Sequence, residues 1–202
     1  MIALIDYGAG NLTSVRKGFA AAEAELVTPA DPSELQRVSG IVVPGVGHFG
    51  ATSALDGAWF AAISEAVSRG VPLFGICLGM QWLFEGSDEA PGVRGLGAVA
   101  GMCSRLPRDE AGVLKVPHVG WNSLAAPRPS RLLDGIESGS QVYFTHSFAA
   151  PVTPESVAIC THGAPFAAAV ERDNVFGVQF HPEKSSAAGI RILRNFAALA
   201  RG

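Results

Sequence analysis

Short apolar runs alternate with longer amphipathic stretches through the first half of the chain. The run at 40–44 (GIVVP) is apolar throughout, as in a strand that is buried on both faces. In the stretch at 12–24, Val15, Phe19 and Ala22 fall on one face of a helix, and Asn11 is placed to cap it. The alternation predicts a parallel sheet covered by helices on both faces. The predicted elements are strand 2–6, helix 12–24, strand 25–28, strand 40–44, helix 59–68, strand 71–76 and helix 78–84.

The second half of the chain is richer in strand-like runs than in helical ones. A hairpin turn at 171–174 (ERDN) is expected to join the last two strands, which predicts antiparallel pairing there. A final amphipathic helix at 186–200 directs Ile190, Leu193 and Phe196 inward. We therefore expect one α/β domain over residues 1–202, with a mixed, mostly parallel central sheet flanked by helices. The strands predicted in this half are 141–148, 156–161, 166–171 and 175–180.

Charge and hydropathy exclude several classes of protein. Lys and Arg total 15 against 18 Asp and Glu, a net charge of −3, which is not the footprint of a nucleic-acid-binding protein. No uninterrupted apolar window reaches the length of a membrane-spanning helix. The first residues lack the basic segment and the long apolar run of a secretory signal. We expect a cytoplasmic protein that binds neither nucleic acid nor membrane.

The cysteines and glycines exclude some common sites. Cys77, Cys103 and Cys160 form no C-x-x-C pair, which argues against a zinc ribbon, and their odd number in a cytosolic chain argues against a disulfide framework. We expect Cys103 and Cys160 in the core. No H-E-x-x-H or similar metal cluster occurs. Thr13 occupies the third glycine position of a G-x-G-x-x-G match, so a dinucleotide site is rejected.

The sequence at 75–79 (GICLG) has the G-x-nucleophile-x-G pattern, with Cys77 in the nucleophile position between a strand and a helix. The glycines permit a turn so tight that side chains would clash with neighbouring backbone. The N-terminus of the following helix favours a thiolate at this position. The alternative is a structural cysteine buried in the turn.

A nucleophilic cysteine needs a base and a group that orients the base. Among the five histidines, His181 follows an apolar strand and is followed by Pro182 and Glu183. Pro182 favours extended backbone at His181, and residues two apart in extended chain point to the same side. Glu183 is therefore placed to accept a hydrogen bond from one ring nitrogen, which predicts a Cys77–His181–Glu183 triad at the carboxyl edge of the sheet.

Acyl transfer also requires donors for the oxyanion. The N–H of Leu78, next after the nucleophile, is one candidate. A second is the N–H of Val46, in the loop between Gly45 and Gly47, whose glycines permit a peptide flip. An ordinary glycine-rich turn is the alternative.

These segments resemble the class I, triad-type glutamine amidotransferases. The resemblance rests first on GICLGMQ (75–81) and GVQFHPEKS (177–185), and further segments narrow it to the glutaminase subunits of imidazole glycerol phosphate synthase, which serve histidine biosynthesis. Those further segments are DYGAGNL (6–12), PGVG (44–47), VPHVGWN (116–122), YFTHSF (143–148) and HPEKSSAAGIRILRNF (181–196).

The resemblance implies a flavodoxin-like fold, L-glutamine as substrate and no cofactor. It implies that Cys77 attacks the glutamine amide, that His181 protonates the leaving ammonia and then activates water, and that Glu183 orients His181. Phe148 stands where many members carry Tyr, so any role of that hydroxyl is lost. The pocket walls implied are Gly45, Gly47, Gln81, His146, Ser147 and Phe148.

The resemblance also implies a heterodimer with a separate cyclase subunit, HisF, a (β/α)8 barrel that receives the ammonia. The residues that match positions near that interface are Asn11, Trp121, Asn122 and Lys184. We expect the isolated chain to be nearly inactive, because the PGVG loop is misaligned until the cyclase and its ligand bind.

Three alternatives stay open on sequence grounds. The first is that the chain is a glutaminase of another pathway, such as anthranilate, GMP or pyridoxal phosphate synthesis, although VPHVGWN and the lack of a fused synthetase weigh against this. It is a cysteine hydrolase or glyoxalase of the DJ-1/PfpI type, which shares an elbow cysteine but does not need His-Pro-Glu. Or it is a non-catalytic binding module that keeps the fold.

Overall fold

The computed structural model describes residues 1–108, 115–125 and 128–202. Its helices are α1 (Leu12–Ala21), α2 (Ala58–Ser68), α3 (Leu78–Trp82) and α4 (Ser186–Leu199). Short 3-10 helices span Pro32–Arg37, Phe49–Leu55 and Pro182–Lys184. The strands are β1 (Ile2–Leu4), β2 (Leu26–Val27), β3 (Gly40–Val43), β4 (Leu73–Ile76), β5 (Gly86–Ser87), β6 (Met102–Arg105), β7 (His118–Ser123), β8 (Gln141–His146), β9 (Phe148–Ala149), β10 (Ser156–His162), β11 (Ala164–Arg172) and β12 (Val175–Val178).

The central sheet has seven strands in the order β10-β11-β12-β4-β3-β1-β2. Strands β12, β4, β3, β1 and β2 pair in parallel, whereas β10 and β11 add an antiparallel edge. The β11–β12 register, Arg172 opposite Val175, leaves a two-residue turn and confirms the hairpin. The sheet is therefore mixed and mostly parallel, as predicted.

Helices cover both faces of this sheet. On one face Phe74 and Phe176 of the strands pack against Phe196 of α4, and Phe19 of α1 contacts the same ring. On the other face Ile63 of α2 lies in a second core cluster with the other side chains of the same strands. This two-sided burial explains why the parallel strands are apolar throughout.

The structure differs from the sequence-based elements at several ends. Helix α1 stops at Ala21, where Glu23 turns the chain with φ +60° and Ala24 N–H bonds back to Phe19 O at 2.9 Å. In α4 Ile190 is only half-buried, and Ile192 is the buried residue of that turn. The run predicted at 141–148 divides into β8 and β9, which pair in different sheets. Strands β5, β6 and β7 and the 3-10 helices were not predicted.

The two smaller sheets carry one wall of the cavity described below. Strand β7 pairs antiparallel with β8, placing His118 opposite His146. Strand β9 pairs with β6, in which Cys103 is fully buried. Cys160 of β10 is fully buried as well, so both cysteines lie in the core as expected.

Candidate active site

Cys77 lies between the end of β4 and the start of α3 in a strained turn, with φ +54° and ψ −107°. A left-handed φ at a non-glycine residue persists only where the surroundings enforce it, and such strain is concentrated at functional sites. A Cβ on Gly75 would lie 2.5 Å from Gly79 O, and one on Gly79 would overlap Val43 O. The elbow therefore needs both glycines, and it places Cys77 in the lining of a cavity.

His181 and Glu183 are joined at the end of the neighbouring strand. His181 Nδ1 and Glu183 Oε1 are 2.8 Å apart, and both side chains are almost fully buried. His181 has extended backbone, and Pro182 begins the short 3-10 helix that brings the carboxylate back to the ring. This is the local geometry that the His-Pro-Glu sequence predicts. Because a carboxylate only accepts here, Nδ1 carries the proton and Nε2 is turned away from Glu183.

The charge state of His181 depends on both neighbours. Burial is the largest influence and by itself lowers the pKa of His181. The interactions with Cys77 and Glu183 oppose it and together raise the pKa to about 10. Cys77 is near enough to influence the pKa of the ring, although Nε2 makes no hydrogen bond within the part of the chain described. Catalytic pairs are often loose in this way before substrate binds.

The glycine loop after β3 directs a carbonyl, and not a second N–H, at one of the two predicted oxyanion donors. Leu78 N–H donates to Gly45 O at 3.4 Å, so the carbonyl of the loop occupies the position facing this donor. Val46 is 39% exposed, and Gly47 has φ +101°. The loop is anchored at its base, where the Tyr7 hydroxyl donates to Pro44 O at 2.7 Å. The pairing of Val46 and Leu78 as oxyanion donors stays a prediction.

A cavity of about 200 Å³ opens beside the nucleophile. It brings together most of the predicted pocket residues, but Gly45 and Val46 do not line it. Glu89 and Thr145 do, and sequence reasoning missed both. Glu89 is held by Phe49 N–H at 2.7 Å, and its position in a loop without periodicity gave no signal. The lining is Gly47, Cys77, Leu78, Gln81, Glu89, Thr145, His146, Ser147 and Phe148.

Two buried glutamines connect the cavity wall with the sulfur. Gln81 Nε2 donates to Phe148 O at 2.8 Å and to Gln179 Oε1 at 3.0 Å. Gln179 Nε2 lies 3.6 Å from Cys77 Sγ. Gln81 therefore makes hydrogen bonds within the protein as well as lining the cavity. Gln179 was missed, although a lone polar residue between two apolar ones in the strand run at 175–180 is a usable signal.

A chain of neutral histidines supports the same wall. His146 Nδ1 donates to Phe148 O at 2.9 Å, which leaves its Nε2 to accept from His118 Nδ1 at 3.0 Å. His118 Nε2 then accepts from Asn122 Nδ2 at 3.3 Å. Burial lowers the pKa of His146 to about 3 and that of His118 to about 4. With both ring nitrogens occupied, His146 shapes the cavity rather than offering it a ring N–H.

The residues predicted for a partner interface lie in different surroundings. Trp121 is 52% exposed on β7, and its ring meets Tyr143 edge-on. Lys184 places its Nζ over the same Tyr143 ring, 5.7 Å from the ring centre. Asn11 is exposed and caps α1 by accepting from Ser14 N–H at 3.0 Å. Asn122 faces the protein, where its Nδ2 donates to His118 Nε2 at 3.3 Å and to Thr161 O at 3.1 Å.

Metal-ligand clusters and membrane-spanning helices are absent from the residues that the structure describes. Residues 1–108, 115–125 and 128–202 contain no group of three His, Cys, Asp or Glu side chains arranged to hold a metal ion. Over the same ranges no helix is both long and apolar enough to cross a bilayer.

Comparison with known proteins first identifies the protein class to which the chain belongs. The family described as glutamine amidotransferase class-I matches residues 3–200, so the chain belongs to that family. Solved structures agree in fold. A crystal structure of a glutamine amidotransferase superimposes with TM-score 0.76 at 17% identity, covering both chains completely. The Trypanosoma brucei CTPS glutaminase domain with bound acivicin gives TM-score 0.72 at 18% identity, over 99% of this chain and 93% of that one.

Sequence relatives narrow the class to one branch. The imidazole glycerol phosphate synthase subunit HisH of Moorella thermoacetica is 46% identical over 99% of this chain and 95% of the relative. The HisH of Halobacterium salinarum is 47% identical over 96% of this chain and 91% of the relative. Within the class, the chain is thus a member of the HisH family.

Proposed function

We propose that this chain is the glutaminase subunit of an imidazole glycerol phosphate synthase, acting as one domain over residues 1–202. It hydrolyses L-glutamine to glutamate and ammonia with a Cys77–His181–Glu183 triad. One observation carries the proposal. A cysteine in a strained elbow and a buried histidine–glutamate pair meet at the carboxyl edge of adjacent parallel strands, and the cavity at that edge opens onto the sulfur.

In the first half of the reaction the Cys77 thiolate attacks the side-chain amide carbon of glutamine. The C=O electron pair moves onto oxygen, which becomes an oxyanion. His181 is protonated at neutral pH, since its pKa is raised to about 10. When the oxyanion collapses, the C–N bond breaks and the imidazolium gives its Nε2 proton to the leaving nitrogen. The products are ammonia and a glutamyl thioester on Cys77.

In the second half of the reaction, water is the nucleophile that attacks the thioester. Neutral His181 takes a proton from water as its oxygen attacks the thioester carbon, and collapse of the second oxyanion breaks the C–S bond. Glutamate leaves, and the thiolate–imidazolium pair is restored. Glu183 holds the ring in the tautomer that both halves need and stabilises its charged form.

The cavity offers a charge that complements one group at the other end of the substrate. Glu89 is the carboxylate in its lining, and we assign it to the α-ammonium group of glutamine. Ser147 and Phe148 also line the cavity, and Gln81 and His146 brace the Phe148 carbonyl.

Ammonia produced here needs an acceptor, because at neutral pH the free molecule is mostly protonated, non-nucleophilic and lost by diffusion. We propose that a separate cyclase subunit, the (β/α)8 barrel HisF, docks on the surface around Trp121 and Lys184 and receives it. Asn11 and Asn122 are assigned to the same interface. The assembly is placed in the cytoplasm.

The glycine loop supplies the control of this reaction. Gly45 O accepts the Leu78 N–H that the oxyanion needs, so the peptide between Gly45 and Val46 must rotate before both donors face the substrate. Docking of the cyclase with its ligand is proposed to favour the rotated loop.

A glutaminase assay with and without the cyclase tests the proposal. The missing oxyanion donors predict that the isolated chain is slower by about 10² to 10³-fold, and that cyclase with bound ligand restores the rate. Equal rates with and without the cyclase would refute the control by the loop. No glutaminase activity under either condition would refute the function itself.

A variant separates the chemistry from the assembly. Cys77→Ala should abolish synthesis from glutamine while the same complex still works with added ammonia. Loss of both activities would mean that Cys77 serves the structure of the complex instead of the reaction.

A further inference from the structure

Gln179 is a fully buried polar side chain next to the nucleophile. It follows β12, which pairs in parallel with β4 in a register that sets Val178 opposite Ile76. Cys77 N–H donates to Val178 O at 2.8 Å, which fixes the two chains beside each other at this level. Gln179 lies two residues before His181, in the bend that follows β12.

The orientation of the Gln179 amide follows from its partners. Phe148 O is a carbonyl and can only accept, so Gln81 must turn its NH2 group toward it. The same NH2 group lies 3.0 Å from Gln179, which must therefore present its oxygen to Gln81. That leaves the NH2 group of Gln179 directed at Cys77 Sγ, 3.6 Å away.

We propose that Gln179 is a further catalytic residue, whose amide N–H donates a hydrogen bond to the Cys77 sulfur and stabilises it as a thiolate. Gln81 acts through it as a positioning residue that prevents the amide from flipping. The proposal rests on the function given above only in taking Cys77 as the nucleophile.

A buried thiolate needs donors, because an unpaired charge in the interior is costly. His181 supplies charge, but its Nε2 makes no hydrogen bond within the described residues. Gln179 Nε2 is within hydrogen-bonding distance of the sulfur. The sulfur gives up its charge when the thioester forms and regains it when the thioester is hydrolysed. This donor therefore stabilises the thiolate before it attacks and again when it leaves.

The test is the pH dependence of Cys77 alkylation by iodoacetamide, followed by mass spectrometry of the Cys77 peptide. Thiolate attacks carbon and expels iodide, so the rate reports the thiolate fraction without glutamine or a partner. Gln179→Met keeps the length of the side chain but has no donor. We expect the pH midpoint of alkylation to move up by about one unit, and the rate at pH values below both midpoints to fall about ten-fold.

Gln36→Met, at an exposed position outside the cavity lining, makes the same exchange and should leave the profile unchanged. Gln81→Met should move the midpoint in the same direction as Gln179→Met but by less, because the amide at 179 is then free to flip. An unshifted midpoint in folded Gln179→Met, checked by its melting temperature, overturns the proposal. If that variant does not fold, Gln81→Met decides: an upward shift supports the donor and an unshifted profile overturns it.

The result is separable from the proposed function. Alkylation that shifts as expected in a chain with no glutaminase activity, even when the cyclase is present, upholds the hydrogen bond and refutes the function. Glutaminase activity together with an unshifted profile does the reverse.

Discussion

Two histidine sites lie near Cys77 and differ in charge state. His181, which does not line the cavity, is paired with the Glu183 carboxylate, and its interactions with Cys77 and Glu183 raise its pKa to about 10. His146, which does line the cavity, is paired with the Phe148 carbonyl and the His118 ring, and burial lowers its pKa to about 3. All three rings are buried, so burial alone does not decide which becomes charged.

The hydrogen-bond partner of each ring determines whether the ring is charged. Burial penalises an imidazolium at both sites, but only His181 has a full negative charge in contact to compensate. A carbonyl and a second imidazole can orient a ring without charging it. In the proposed reaction the charged histidine beside Cys77 transfers protons, whereas the neutral histidines only support the cavity wall. Three experiments test this difference in role between the two histidine sites.

Removing the charged histidine should have the largest effect. His181→Asn deletes the proton donor and acceptor, and we expect the glutaminase kcat, measured with the cyclase present, to fall by about 10³ to 10⁴-fold. His118→Gln keeps an N–H toward His146 and an acceptor toward Asn122, and should change kcat by less than about three-fold, as expected when a neutral hydrogen-bonded link is replaced by another. A loss in His118→Gln as large as that in His181→Asn would erase the distinction.

Breaking the neutral relay should affect binding and stability more than turnover. His146→Leu removes the N–H that braces Phe148 O and leaves the buried N–H of His118 without its acceptor. We expect the free energy of unfolding to fall by about 1–3 kcal/mol, and KM for glutamine to rise about ten-fold with kcat little changed, as for one lost hydrogen bond at a pocket wall.

Denaturant unfolding and steady-state kinetics measure these two effects. A matched comparison is His48→Gln, since His48 is exposed and caps the short helix at Phe49–Leu55. If kcat of His146→Leu collapses while KM holds, the wall takes part in the chemistry.

The sequence predicted the charged site far better than the neutral one. Gly75, Cys77 and Gly79 form a local motif, and Pro182 fixes the spacing between His181 and Glu183, so short-range geometry was enough to predict each half of the site, although only the pairing of β4 with β12 brings the halves together. The relay joins His118, His146 and Asn122 through the pairing of β7 with β8, and β7 was not predicted as a strand.

Long-range contacts account for the other omissions. Glu89 reaches the cavity from a loop, and Gln179 acquires its role only when β12 lies beside β4. The bond from Leu78 N–H to Gly45 O joins residues 33 positions apart. Its existence depends on the rotation of one peptide, and no residue pattern determines that rotation.

The smallest expected effect is on the pH dependence of stability. The folded-state pKa of His118 is about 4 and that of His146 about 3, both below the ordinary value near 6.5. Below pH 6.5 the unfolded chain therefore binds protons that the folded chain refuses, so these rings contribute stability that is present above pH 6.5 and is lost as pH falls toward 4 and then 3. His118→Gln cannot be protonated, so its free energy of unfolding should fall less steeply between pH 6.5 and 4, by about 1–3 kcal/mol over that window. Urea titrations at half-unit pH intervals measure the slope, with His48→Gln as the control that keeps the steep fall. Parallel slopes for wild type and His118→Gln would show that His118 is not held neutral, and the contrast between the two histidine sites would then rest on His146 alone.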